Sequence, residues 1–391
     1  MSDYAVQLLT DLLKIYSPSG KEEAISNFLV KEMKALGFRV RKDSAGNVIG
    51  EIGKGEPTIL LCGHMDTIAG QLPVRVKNNK IYGAGAVDAK GPLAAMIIAA
   101  ATVAQEPMFQ AKIVVASVVE EEATSRGVKH LIRDGVSADY AIFGEPSGAE
   151  NITLGYKGNL CLKLTCETYT GHSSTPWLYE NAIEKTFELW HQIKNAYPPV
   201  EKQESPYHAV TTCLIKLSGG KGTPKVPSKC EMHIDIRIPP HFTSAQVFKE
   251  AENVIKQYQA ANPKVSVKVV IKDSNEPFEV NKNSPLVRAM AYSIRKVQNK
   301  PATLLRKTGT GDMNILGRAM NVSIVTYGPG DSHLDHTKDE HILISEYLDG
   351  IQVYKETILK LIELHKKAGN QQPPLSPSRN YRDVLSSLNS S

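Results

Sequence analysis

The chain has 391 residues, of which 41% are apolar and 22% are charged. This length and composition exclude a disordered or fibrous protein and leave room for one large core and a second domain. The formal net charge of +5 is spread along the chain without a block of lysine or arginine. It therefore does not predict nucleic-acid binding.

The chain also lacks the patterns of a membrane or secreted protein. Its most apolar window, residues 92–104, is shorter than the roughly 20 residues that a membrane span needs, and no signal peptide is visible. The five cysteines form no CxxC pair, so we expect reduced thiols. These observations predict a cytoplasmic protein that binds neither nucleic acid nor a membrane.

The first part of the chain alternates helices with short β-branched runs, a pattern typical of an α/β domain. The predicted helices are 3–15, 21–36, 91–105 and 125–134, and the predicted strands are 39–41, 48–52, 58–62 and 112–119. In such domains polar residues gather at the carboxyl ends of the strands.

Residues 158–271 have a different order, β-α-β-β-α-β, which is typical of a ferredoxin-like α+β domain. The predicted elements there are strand 159–168, helix 180–195, strands 208–217 and 228–238, helix 243–261 and strand 265–271. The α/β pattern then returns, with helix 284–298, strand 322–326 and helix 345–366. We therefore predict a discontinuous catalytic domain (1–157 and 272–367), an inserted domain (158–271) and a flexible tail (368–391).

Acidic and histidine residues follow several of the predicted strands. His64 and Asp66 follow strand 58–62, Glu120 to Glu122 follow strand 112–119, and Glu145 follows the apolar residue Phe143. Asp88 lies in a glycine-rich turn before a helix, and a further loop at 328–337 contains two histidines. Three adjacent glutamates repel one another unless a cation neutralises them, so we expect a multivalent ion.

Each of these segments alone has an ordinary structural interpretation. The His64–Asp66 pair could be a surface pair, the three glutamates could be the first turn of a helix, and the glycine turn at 83–91 does not fit the GxGxxG dinucleotide pattern. Their conjunction at strand ends of one α/β framework instead favours a mixed nitrogen and oxygen ligand set for zinc or a similar divalent ion.

The chain up to about residue 367 resembles the M20 family of metallopeptidases and deacylases. The matching motifs are GHMDT at 63–67, GAGAVDAKG at 83–91, EEEATSRG at 120–127, GEPS at 144–147, GHSSTP at 171–176 and HTKDE at 336–340. The resemblance implies a zinc-peptidase-like catalytic domain with two divalent metal ions. Zinc is expected, with cobalt and manganese as alternatives that accept the same donors.

The resemblance also assigns roles to individual residues. It implies that His64, Asp88 and Glu145 hold one metal ion, and that Asp88, Glu122 and His336 hold the other. Asp66 resembles the residue that orients His64, and Glu121 the general base. The inserted domain would form a homodimer, in which His172 reaches the partner subunit's site, and Arg237 resembles the binder of a substrate carboxylate.

The sequence departs from the family pattern at three places. Three glutamates stand where many members have Asp-Glu-Glu, so Glu120 competes with Glu121 for the role of base. His333 lies three residues before His336 and competes with it as a ligand. An asparagine common in the family is absent from 224–227, which leaves open any contact that it makes.

Three segments, 88–93, 309–314 and 327–331, look most like one branch of the family, the LysW-type hydrolases. These enzymes release lysine or ornithine from the terminal glutamate of an acidic amino-group carrier protein. The small positive net charge suits such a partner. Alternatives are an N-acetylornithine or N-acetyllysine deacetylase, a succinyl-diaminopimelate desuccinylase, or a non-catalytic member that binds a partner. Because lysine and ornithine carry a side-chain ammonium, we expect a carboxylate in the pocket and name Asp312, in a loop at 309–314, as the candidate; a loop-capping role is the alternative.

Overall fold

A computed structural model describes residues 2–107, 109–320 and 322–369. Its α-helices are α1 (Ser2–Lys14), α2 (Glu23–Ala35), α3 (Lys90–Val103), α4 (Arg126–Arg133), α5 (Ala182–Asn195), α6 (Ser244–Ala261), α7 (Pro285–Gln298), α8 (Asp312–Met320) and α9 (Ile344–Gly369). The predicted flexible tail lies outside the described residues, apart from its first two positions, which belong to α9.

The strands are β1 (Arg39–Lys42), β2 (Val48–Gly53), β3 (Thr58–His64), β4 (Arg75–Lys77), β5 (Lys80–Tyr82), β6 (Lys112–Val118), β7 (Tyr140–Phe143), β8 (Asn151–Tyr156), β9 (Gly158–Glu167), β10 (Thr211–Gly219), β11 (Lys229–Ile238), β12 (Ser266–Asn275), β13 (Phe278–Glu279), β14 (Thr303–Lys307), β15 (Ser323–Thr326) and β16 (His341–Leu343). They form three sheets within the described part of the chain.

The largest sheet runs in the order β1-β2-β6-β3-β7-β15-β8-β13, with β14 also paired to β8. Its central strands β6, β3, β7 and β15 are parallel. In this register His64 lies opposite Val118, and Cys62 lies opposite Phe143. The carboxyl ends of β3, β6 and β7 therefore meet at one edge of the sheet, which brings together the segments that follow them.

Helix α3 lies in the core beneath this sheet, and all of its residues except Thr102 are buried. Its sequence is nearly continuous in alanine, isoleucine and leucine, as expected for a helix with no solvent face. Lys90, at its first turn, donates from Nζ to the carbonyl oxygens of Leu12 (3.2 Å) and Ile15 (2.8 Å). These bonds satisfy carbonyls at the end of α1 and fix the start of α3 directly after Asp88.

Residues 158–275 form a four-stranded antiparallel sheet in the order β10-β11-β9-β12, with α5 and α6 packed on one face. Leu160, Leu162 and Leu164 of β9 point into a separate apolar core, while Asn159 and Cys161 alternate with them on the other face. This is the predicted ferredoxin-like order. The last strand extends to Asn275 rather than to residue 271, because backbone pairing with β9 continues past the apolar run.

Candidate metal centre

His64 is the last residue of β3 and is fully buried. Its Nδ1 lies 3.0 Å from the carbonyl oxygen of Asp66 and 3.6 Å from that residue's carboxylate. The nearer acceptor is therefore the Asp66 backbone, which fixes the ring and leaves Nε2 facing the centre.

The Asp66 carboxylate instead holds the loop after β6. It accepts hydrogen bonds from the backbone N–H groups of Glu121 and Glu122, each at 3.2 Å, and from Ser19 Oγ at 2.7 Å. Glu22 supports the same loop by accepting from the backbone N–H of Glu120 at 3.2 Å. These contacts aim the side chains of Glu121 and Glu122 at the centre.

Glu120 points elsewhere, which bears on the ambiguity among the three glutamates. Its backbone is left-handed, with φ 56°, and its carboxylate accepts hydrogen bonds from Arg126 Nε (2.7 Å) and Thr124 Oγ1. Glu121, by contrast, is partly buried, and the charges of Asp88 and His64 act on it. The geometry favours Glu121 over Glu120 as the base.

Asp88 lies in a tight turn held by Glu340. The Glu340 carboxylate accepts hydrogen bonds from the backbone N–H groups of Gly85 (3.1 Å), Val87 (3.0 Å) and Asp88 (3.2 Å). A Cβ at Gly91 would collide with the Ala86 carbonyl oxygen, so the close return of this turn requires glycine. Glu340 had no predicted role of its own, although it is the last residue of the HTKDE motif at 336–340.

The two Asp88 oxygens face the two histidines. Oδ1 lies 3.0 Å from His64 Nε2, and Oδ2 lies 3.0 Å from His336 Nε2. Glu145 Oε1 is 3.4 Å from His64 Nε2, and Glu122 Oε1 is 2.8 Å from His336 Nε2. The structure thus brings together all five predicted metal ligands as two groups that share Asp88, with the candidate ligand atoms of each group within 4.8 Å of one another.

The competing histidine, His333, is not part of either group. Its Nδ1 is 2.8 Å from Asp331, and its side chain is 93% exposed. It therefore forms a surface pair, and the structure favours His336 as the ligand.

The electrostatics of this cluster favour the binding of a cation. Burial raises the pKa of Glu121 and raises that of Glu145 well above its ordinary value, and it raises the pKa of Glu122 to about 7. Hydrogen bonding to Asp88 raises the pKa of His336 to about 10. Among the described residues, the only cationic groups within 4 Å of Asp88, Glu122 and Glu145 are His64 and His336.

The donor set fits a pair of divalent ions. Each group offers one imidazole nitrogen, one oxygen of the shared Asp88 and one further carboxylate, which is the mixed set that zinc, cobalt and manganese accept. Two divalent cations would neutralise the buried carboxylates and replace the protons that the cluster otherwise retains.

A third group, formed by Asp43, His130 and Asp134, does not have this character. The Asp43 carboxylate already accepts from the backbone of Ala45 and Asn47 and from the Asn47 side chain. His130 Nε2 is shared with Ser44 Oγ at 3.1 Å. Because its candidate ligand atoms are engaged in these hydrogen bonds, we interpret this group as a hydrogen-bond network.

Metal affinity is expected to rise with pH through neutrality. Glu122 must lose its proton to coordinate an ion, and its pKa of about 7 places that loss between about pH 6 and pH 8. Below pH 7 this proton competes with the metal, and so does the proton of His336, whose pKa is about 10, so the affinity should increase by up to about tenfold per pH unit for each of the two protons. Above pH 7 only the His336 proton still competes, so the slope should become shallower. Chelator-competition titrations at several pH values measure this, and a slope that is the same below and above pH 7 would contradict the ligand role of Glu122.

A cavity of about 280 Å³ opens beside Glu121 and Glu122 and reaches the inserted sheet. Arg237 lines it, with Nε 2.8 Å from Asp235 and Nη1 3.1 Å from Thr310 Oγ1. These two contacts orient the guanidinium next to the metal centre. The predicted carboxylate binder therefore lines the same cavity as Glu121 and Glu122.

Asp312 occupies a different environment from the one that the sequence predicted. It is the first residue of helix α8 rather than part of a loop, and its side chain is fully buried. Neither carboxylate oxygen has a hydrogen-bond partner within normal geometry among the described residues, and burial raises its pKa well above the ordinary value. Its backbone N–H lies 3.4 Å from Glu121 Oε1. Asp312 thus lies next to Glu121, the predicted base, and is not among the residues that line the cavity.

His172 lies in an exposed loop of the inserted domain. Its Nδ1 is 2.8 Å from Ser174 Oγ, and its backbone forms a bridge to Lys225. Within the described part of this chain, His172 belongs to neither metal group and does not line the cavity.

Comparisons with known proteins agree with this fold. The chain matches the Peptidase family M20/M25/M40 over residues 60–360. It therefore belongs to this family of hydrolases, whose structures include dinuclear metal-binding peptidases. The resemblance found in the sequence motifs is confirmed.

Its relatives point to one branch of the family. A protein of Pyrococcus furiosus, provisionally named a LysW-lysine/LysW-ornithine hydrolase, is 38% identical over 91% of this chain and 97% of its own. The LysW-lysine/LysW-ornithine hydrolase of Saccharolobus solfataricus is 35% identical over 91% of this chain and 96% of its own.

Solved structures show the same fold. The aminopeptidase PepT of Bacillus cereus superposes with a TM-score of 0.80 at 18% identity, covering 93% of this chain and 99% of that one. The YXEP protein of Bacillus subtilis, described as a dinuclear metal binding peptidase, gives a TM-score of 0.67 at 13% identity, covering 93% of this chain and 98% of that one.

Among the described residues of this chain, no helix combines the length and apolar character of a membrane span.

Proposed function

We propose that this protein is a metal-dependent amide hydrolase that releases lysine or ornithine from the terminal glutamate of an acidic amino-group carrier protein. One observation carries the hydrolytic chemistry: Asp88 is shared by two histidine–carboxylate groups, and the partly buried Glu121 lies beside them. The relatives named LysW-lysine/LysW-ornithine hydrolases support the choice of substrate.

The five proposed ligands form two metal positions that share Asp88. His64, Asp88 and Glu145 hold one, and Asp88, Glu122 and His336 hold the other. We propose zinc for both positions. When bound, such ions polarise the scissile carbonyl and lower the pKa of water.

Glu121 serves as the proton relay of this proposal. Burial raises its pKa, which suits a carboxylate that takes a proton from the attacking water and returns it to the departing amine. Two contacts hold Glu121 in place: the backbone N–H of Asp312 lies 3.4 Å from its Oε1, and its own backbone N–H donates to Asp66 Oδ1 at 3.2 Å. Arg237 binds the α-carboxylate of the amino acid that leaves.

Product release from competing substrates tests the proposal. Carrier-linked lysine, carrier-linked ornithine, acetylornithine and succinyl-diaminopimelate are incubated with metal-loaded enzyme, and the products are quantified by mass spectrometry. The carrier-linked substrates should be cleaved fastest, and a chelator should stop the reaction. Faster turnover of acetylornithine would favour a deacetylase, faster turnover of the succinyl compound a desuccinylase, and no turnover a non-catalytic member.

We further propose that the inserted domain forms a homodimer, with a second copy of this chain covering its exposed apolar residues. Trp177 and Leu178, in the segment that follows His172, are 77% and 60% exposed. Ile215 and Leu217 are also exposed, on the edge strand β10. Exposed apolar residues on an unpaired edge are typical of a protein interface. In the dimer, His172 would donate to the oxyanion in the partner subunit's site.

Mixed dimers test this role of His172. A His172→Ala chain and a Glu121→Gln chain should each be inactive alone, whereas a mixed dimer has one complete site. Random exchange should restore about one quarter of the wild-type activity, because half of the dimers are mixed and each has one of two sites intact. A monomer in solution, or no recovery despite demonstrated subunit exchange, would reject the proposal.

We also propose that the protein acts in the cytoplasm. All five cysteines are free, as expected for a protein kept in a reducing compartment. Fractionation of cells of the source organism would test this placement.

A further inference from the structure

The cavity beside the metal centre carries two opposite charges on its wall from the inserted domain. Arg237 of β11 and Asp273 of β12 both line it, together with Asn159 and Asn275. Arg237 is already oriented by Asp235 and Thr310. The function proposed above leaves Asp273 without a role.

The strand register separates these charges across the sheet. Arg237 and Asn275 lie opposite Asn159 on either side of β9, and Asp273 lies opposite Cys161, two residues along. Strand β9 lies between β11 and β12. The backbones of Arg237 and Asp273 are therefore two strand spacings apart, which is about 10 Å across the strands. The side chains of both residues point to the face without helices, so a ligand several bonds long can span the gap between them.

The Asp273 carboxylate is held in place but its charge is not paired. Oδ2 accepts hydrogen bonds from Asn159 Nδ2 (2.7 Å) and Asn275 Nδ2 (3.4 Å), and Asn275 Nδ2 also donates to Asn159 Oδ1 (2.9 Å). Among the described residues, no lysine, arginine or histidine nitrogen lies within 4 Å of this carboxylate, and Oδ1 accepts no hydrogen bond. A carboxylate only accepts hydrogen bonds, so Oδ1 is available to a cationic donor.

We propose that Asp273 binds the side-chain ammonium of the released amino acid while Arg237 binds its α-carboxylate. This inference rests on the function proposed above and replaces Asp312, which is buried away from the cavity, as the recognition carboxylate. Asp273 is exposed at the mouth of the cavity. An ammonium bound there is not confined to one depth, so the proposed subsite would accommodate either lysine or the shorter ornithine.

The test compares carrier-linked lysine with carrier-linked norleucine, which has a similar shape but no ammonium. The wild-type enzyme should prefer lysine, and Asp273→Asn should lower the ratio of the two kcat/KM values by about tenfold. Asp273→Glu, which keeps the charge, should retain most of the preference. Glu167→Gln, a neutralisation at the far end of β9 beside Lys229, should leave the ratio unchanged.

The results separate this inference from the proposed function. An unchanged ratio in Asp273→Asn, with both substrates cleaved, would overturn the role of Asp273 alone. If the wild type cleaves neither carrier substrate, the proposed function fails. Calorimetry with free lysine and free norleucine then tests the Asp273 subsite by itself. Weaker lysine binding by Asp273→Asn than by wild type, with no such change for norleucine, would support the subsite, whereas equal lysine affinities would reject it.

Discussion

An Asp88→Ala variant is expected to lose both metal ions and its activity together. Each Asp88 oxygen faces a different histidine at 3.0 Å, so one substitution removes a ligand from both metal positions. It also removes the negative charge that lies between the two groups. We expect metal content to fall below one ion per chain and kcat/KM to fall by at least about 10⁴-fold.

Metal analysis and turnover of the same preparation measure this effect. Asp339→Ala is the matched control, because Asp339 is an exposed aspartate near His336 that belongs to neither metal group; it should keep metal and activity. Retention of both ions by Asp88→Ala would contradict the bridging role. Loss of one ion only would show that Asp88 serves a single position.

A Glu121→Gln variant should keep its metal and lose rate. Glu121 belongs to neither metal group, and glutamine preserves its shape but cannot accept and return a proton. The expected loss in kcat is about 10²- to 10⁴-fold, the usual contribution of a general base. Steady-state kinetics together with metal analysis separate this outcome from loss of the centre.

Glu120→Gln is the matched control for the base. Its carboxylate already pairs with Arg126 at 2.7 Å, away from the centre, so turnover should change little. Full activity in Glu121→Gln combined with a large loss in Glu120→Gln would show that the neighbouring residue is the base.

The sequence was sufficient to predict that the candidate ligands lie together, because they follow strong local patterns. Strands β3 and β6 are continuous apolar runs that end in His64 and in the three glutamates. Once these strands are parallel neighbours, the chemistry at their carboxyl ends must converge. The order of elements in the inserted domain was predictable for a similar reason, since its two central strands, β9 and β11, alternate buried and partly exposed residues.

Features that depend on tertiary contacts were not predictable. The three-residue strands β4, β5 and β16 pair only with one another and are too short for a periodic pattern. Helix α8 starts after the glycines at 309 and 311, which favour a loop, and its burial places Asp312 behind Glu121. Likewise, no local pattern shows that Glu340 holds the backbone of the Asp88 turn across 252 residues of sequence.

Anomalous diffraction from crystals soaked in zinc tests the central claim most directly. We predict two anomalous peaks about 3.5 to 4 Å apart on either side of the Asp88 carboxylate, one next to His64 and Glu145 and the other next to Glu122 and His336. A single peak, or peaks only at a group such as Asp43, His130 and Asp134, would contradict the two-metal centre.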